Sequence, residues 1–81
     1  EASIFPNPTT NDFYIQIDFP ESIPSLEITL NNSFGETLKS VELRNIQRDL
    51  ISMSTFDLSP GIYFLAIKTA AGKRVKKLVV K

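Results

Sequence analysis

The run from Leu58 to Ile67 constrains this chain more than any other stretch. In an extended strand successive side chains alternate faces, so Tyr63, Leu65 and Ile67 point one way and Ile62, Phe64 and Ala66 the other. Both faces are apolar, as a strand with neighbours on each side requires. Pro60-Gly61 just ahead is a turn signal, because proline pre-sets one backbone angle and glycine accepts a positive φ. Tyr63 is open to two readings. Either its phenol bonds main chain across the preceding connection, as in a tyrosine corner, or it is a core aromatic with a wet hydroxyl. The Leu58-x-Pro60-Gly61 approach favours the corner.

The rest of the chain reads as short strands and turns around that one. Ile4-Phe5 is extended, and Pro6-Asn7-Pro8 stops it, giving a stiff piece fit for an edge and not for a central strand. Thr9 to Asp12 is loop composition. Phe13, Ile15, Ile17 and Phe19 alternate with Tyr14, Gln16 and Asp18, the cleanest period-two signal present. Pro20 is expected to end that strand. Leu26, Ile28 and Leu30 predict another, and Asn31 to Gly35 a hairpin turn. Leu38 falls out of phase with Val41 and Leu43 in the returning strand, which predicts a bulge or bend. Residues 44–55 read as irregular strand, since no capping residue opens a helical stripe there. A two-residue turn at Ala71-Gly72 would set Leu78 opposite Leu65 and Val80 opposite Tyr63, with Val79 beside Phe64 on the other face. A three-residue turn would pair Lys77 with Leu65, which burial disfavours. About seven short antiparallel strands and no firm helix predict an all-β fold, a Greek-key β-sandwich.

With 81 residues this is one small domain, residues 1–81, with modest stability expected. It opens at Glu1 without an initiator methionine and is read as cut from a longer protein. It shows neither a signal-peptide pattern nor an apolar run fit to span a membrane. A net charge of zero gives no global pull toward nucleic acid. Locally the balance is uneven. Lys68, Lys73, Arg74, Lys76, Lys77 and Lys81 follow the last acidic residue, Asp57. These cations serve either as guards against edge-to-edge pairing or as a recognition patch.

Histidine and cysteine are both absent, which removes the Ser-His-Asp and Cys-His arrangements and the common zinc sets. Asn11-Asp12 alone does not supply the roughly six to eight oxygens that calcium needs. The three glycines stand singly at turns and form no phosphate loop. A carboxylate pair would need a cleft that so small a domain has little room to build. The expectation is a non-enzyme without cofactor, metal or small-molecule substrate.

Three features taken together resemble a known family. They are Pro6-Asn7-Pro8, then Gly61-Ile62-Tyr63 leading an apolar strand, then the basic and aliphatic ending Lys76-Lys77-Leu78-Val79-Val80-Lys81. In order and spacing they are similar to the C-terminal sorting domain (type A) of type IX secretion, found at the ends of exported proteins of Bacteroidota. That family often has an aspartate ahead of its mid-chain glycine in a D-x-x-G pattern; here Asn32-Ser33-Phe34-Gly35 holds the place. The resemblance implies an immunoglobulin-like seven-stranded sandwich acting as an address. It further implies arrival in the periplasm by a conventional signal peptide, recognition by the outer-membrane translocon, and often removal by a sortase-like surface protease that cuts ahead of the domain. The cargo would then be secreted or held at the cell surface.

Within that frame the terminal hairpin is the candidate docking surface. Ile62, Phe64 and Val79 are expected on an outward apolar face, rimmed by Lys76, Lys77 and Lys81. A rival from another class is a fibronectin type III-like or carbohydrate-binding module used as a spacer or for adhesion. Sugar binding is disfavoured, because there is no tryptophan and Tyr14 is the one clearly outward aromatic in this reading. A third reading is an accessory sandwich with no partner.

Overall fold

The computed structural model describes residues 2–81. It is an all-β, curled antiparallel sheet of five strands: β1 (Ala2–Phe5), β2 (Phe13–Asn31), β3 (Thr37–Met53), β4 (Gly61–Thr69) and β5 (Gly72–Val80). β3 runs along one edge of β2 for nearly its whole length. The other edge carries β1 against residues 14–17 and β4 against residues 27–31, with β5 beyond β4.

The expected count of about seven short strands is replaced by five, because β2 and β3 are long, at 19 and 17 residues. Pro20 does not end its strand. Pairing jumps from Asp18 opposite Arg48 to Ile23 opposite Ile46, so Pro20 lies in a wide bulge, where its C=O accepts a hydrogen bond from Gln47 Nε2 at 3.2 Å. Pro24 stands opposite Asn45, which takes φ 51° and interrupts the ladder. Across residues 19–26 neither β1 nor β4 pairs with β2. Each missing proline N–H therefore costs no ladder bond.

This corner also switches which side chains face inward. Before it Phe13, Ile15 and Ile17 are buried; after it Leu26, Ile28 and Leu30 are. Both sets join Ile46, Met53, Tyr63, Leu65, Ile67, Leu78 and Val80 in one core. β4 is the interior strand that its two apolar faces predicted, with β2 on one side and β5 on the other.

The Leu38 expectation holds. Leu30 pairs with Lys39 and Asn31 with Thr37, so Leu38 is the extra residue of a bulge and stays exposed. The preceding turn is fixed by Asn32, whose Oδ1 accepts from the N–H groups of Phe34 and Glu36 while its Nδ2 donates to Glu36 Oε1. Gly35 closes it at φ 87°, a conformation that favours glycine. Asparagine thus performs the acceptor role that an aspartate would have at this place, and its amide adds a bond to Glu36 that a carboxylate would replace with repulsion.

Candidate functional site

The β4–β5 hairpin closes through Ala70-Ala71, one residue earlier than expected, with Thr69 opposite Gly72. Thr69 Oγ1 accepts the Ala71 N–H at 3.1 Å and steadies the turn. The turn keeps two residues, so the faces are as expected, but the register slides by two. Tyr63 meets Leu78, Leu65 meets Lys76, and Gly61 meets Val80.

On the outward face Ile62 lies opposite Val79, Phe64 opposite Lys77, and Ala66 opposite Val75. Ile62 is 48% exposed and Val75 54% exposed, while the small Ala66 is buried, so the described residues leave the larger side chains at both ends of that face in solvent. Phe64 and Val79 are half-buried by their neighbours. The ribbon is therefore open, apolar and cationic. Lys76 is a correction. It pairs with the fully buried Leu65 and shares the parity of Leu78 and Val80, so it stands on the inner side and does not rim the outer face with Lys77.

Pro6-Asn7-Pro8 belongs to the same place, which sequence reasoning missed. Asn7 Nδ2 donates to the Lys77 C=O at 2.7 Å, and the Val79 N–H donates to Asn7 Oδ1 at 3.0 Å. The Thr9 N–H then bonds the Val79 C=O at 2.9 Å, and the Lys81 N–H bonds the Thr9 C=O at 2.8 Å. Asn7 and Thr9 together act as a short parallel strand along the end of β5. An asparagine side chain can do this because its amide offers one donor and one acceptor, as a peptide group does.

Thr9 is itself buried. Its Oγ1 accepts the Asn11 N–H and lies within donor reach of the Asn11 and Asp12 carbonyls, while Thr55 Oγ1 donates to the Asn11 C=O at 2.6 Å. A threonine followed by Asn and Asp is the signal for such a turn.

Tyr63 makes the corner bond. Its OH donates to the Ser59 C=O at 2.6 Å, four residues upstream, with the ring in the core. Tyr63→Phe is expected to keep the fold and lose about 1 kcal/mol by urea denaturation, since a part-buried main-chain carbonyl loses its donor. A loss near zero would reduce the hydroxyl to an incidental contact.

Nearby, Lys39 Nζ meets Asp57 Oδ1 at 3.0 Å and ties the 54–60 loop to β3. The Lys39 hydrogen bond, aided by one from Asp57's own main chain, holds that carboxyl below its ordinary range. Four aromatics are exposed among the described residues, where Tyr14 alone was expected to be clearly outward. Phe5 and Tyr14 stack at 5.8 Å on the β1–β2 face, and Phe34 and Phe56 stand 93% and 96% exposed on loops. They form no single platform of the kind a sugar ring would need. Among the described residues no three acidic side chains gather to hold a metal ion, and no helix is long and apolar enough to cross a membrane.

No curated protein matches this chain. A family model described as the secretion system C-terminal sorting domain matches residues 3–81. That span takes in the Asn7 clamp, the Asn32 turn, the Tyr63 corner and the terminal ribbon together. The chain belongs to the family of C-terminal sorting domains of type IX secretion, which direct their cargo out of the cell.

Proposed function

We propose that the sorting signal is the folded domain, read by the outer-membrane type IX translocon through the outward face of the β4–β5 hairpin. The residues that carry this role are Ile62, Phe64, Lys77, Val79 and Lys81, with Pro6, Asn7, Pro8, Gly35, Gly61 and Tyr63 holding them in place. The single observation that carries the reading is the Asn7 clamp. It fixes a ribbon whose outer side keeps Ile62 and Val75 about half exposed among the described residues. A surface presented in this way suits recognition by another protein, with apolar side chains as anchors and the lysine ammonium groups supplying charge.

The remaining steps follow the family. The domain stands at the C-terminal end of a longer exported protein and folds as an immunoglobulin-like sandwich. The carrier reaches the periplasm by its own signal peptide. A sortase-like protease cuts ahead of the domain, near Glu1, and the cargo stays at the surface or is released. The domain carries out no reaction and needs no cofactor.

The test is export of a reporter fused ahead of this domain in a type IX-competent host. Deleting Lys76 to Lys81 is expected to leave the reporter in the periplasm. That deletion also removes Leu78 and Val80 from the core, so Lys77→Glu is the cleaner variant, because its side chain faces outward. It should cut export several-fold with the melting temperature unchanged. Full export of both variants would end the proposal.

A further inference from the structure

The terminal hairpin has an outer edge as well as an outer face, and that edge is only half covered. Asn7 and Thr9 bond the C=O of Lys77, the N–H and C=O of Val79, and the N–H of Lys81. All are odd-numbered residues. The odd positions of β5 thus turn their main chain away from β4, and the even ones, beginning with Gly72 opposite Thr69, turn theirs toward it. By the same alternation the N–H and C=O of Lys73 and Val75, and the N–H of Lys77, face outward beyond the reach of Asn7. Among the described residues no main-chain group meets them.

Beside this bare edge lies a cleft of about 600 Å³, the seam where the curled sheet fails to close between β1 and β5. Phe19 and Ile67 give it an apolar floor, and Lys73, Arg74 and Lys76 line it from β5. Among the described residues no acidic side chain lines it. None of those three cations joins an ion pair among the described residues. Lysines placed only to discourage edge pairing would explain Lys73 and Lys77 on the outer face. They do not explain Arg74 and Lys76, which parity turns inward beside Ile67 with no counter-charge among the described residues. A cationic wall beside unpaired strand groups is complementary to an extended anionic chain.

We infer that the edge from Lys73 to Lys77 accepts an extended acidic segment of a partner protein as an added strand. Its main chain pairs with Lys73, Val75 and the Lys77 N–H, and its carboxylates meet Arg74 and Lys76 across the cleft. This names the partner chemistry for the hairpin proposed above and rests on that reading.

The experiment follows amide hydrogen exchange by NMR in the 81-residue chain, with a short synthetic peptide alternating glutamate and valine. A matched peptide carrying lysine for glutamate is the control. Only the acidic peptide should slow exchange at Lys73, Val75 and Lys77. The double variant Arg74→Glu, Lys76→Glu keeps every donor and should weaken binding at least about tenfold. Val75→Pro removes one outward N–H without touching the β4 ladder and should abolish protection. Equal binding of both peptides, protection elsewhere, or no protection at all would overturn the inference. Reporter export separates the two claims. If Val75→Pro and the double variant are exported while Lys77→Glu is held back, the added strand is wrong and the hairpin reading stands. If all three are exported normally, both fall.

Discussion

Leu65→Ala lowers the stability of the domain by about 3 kcal/mol or more, read as a shift in urea midpoint at unchanged slope. Leu65 is fully buried at the centre of β4, paired with Leu30 on one side and Lys76 on the other. Truncation removes its transfer free energy and leaves a cavity that a sheet clamped on both edges cannot collapse, and such changes cost roughly 2–5 kcal/mol. A domain of this size has on the order of 4–12 kcal/mol in total, so much of its folded population is at stake. Ile62→Ala, three residues earlier on the opposite face, is the paired control. Half in water, it is expected to cost under about 1 kcal/mol while cutting export. Similar losses at both positions would mean that the outward face is not outward in solution.

The second large effect is expected at Asn7. Asn7→Ala removes both side-chain bonds to β5 and leaves the Lys77 C=O and the Val79 N–H without protein partners. With typical net values of about 1 kcal/mol per bond, the end of β5 should open roughly ten- to thirtyfold more often. Hydrogen exchange at Val79 and Lys81 reports this directly, while Leu78 and Val80, whose main chain turns toward β4, should change little. Asn7→Asp keeps the acceptor for the Val79 N–H but sets a carboxylate oxygen against the Lys77 C=O, so it should resemble alanine more than wild type. Because the ribbon is presented from this clamp, export should fall with it. Unaltered exchange at Val79 in Asn7→Ala would remove the clamp from the account.

What the amino-acid order revealed was mostly what period two reveals. Phe13 to Phe19 alternates because one face meets the core, and Ile62 to Ile67 does not alternate because neighbours lie on both sides. Leu38 announced its bulge by being out of step with Val41 and Leu43. Proline misled. Whether Pro20 stops a strand depends on where β1 ends and β4 begins, and no local pattern carries that information. Lys76 was legible from its shared parity with Leu78 and Val80, but its charge argued for the outer side, and a long stem lets a lysine lie along apolar surface with its ammonium in the cleft. Asn7 was seen as a stiff bend, and its partners are 70 and 72 residues away. The turn moved to Ala70-Ala71 because Gly72 serves as a strand residue, so the Ala71-Gly72 expectation placed the loop one step late.

Those two long-range bonds have a consequence for timing. A ribosome emits Asn7 some seventy residues before the segment it must grasp, and contacts so distant in the chain form late. No prefix of the polypeptide can therefore display the finished ribbon, however well its own strands have collapsed. On the proposed reading, whatever reads the ribbon is also certifying that the domain has closed on itself, so a chain broken off before Val79 carries an unreadable label.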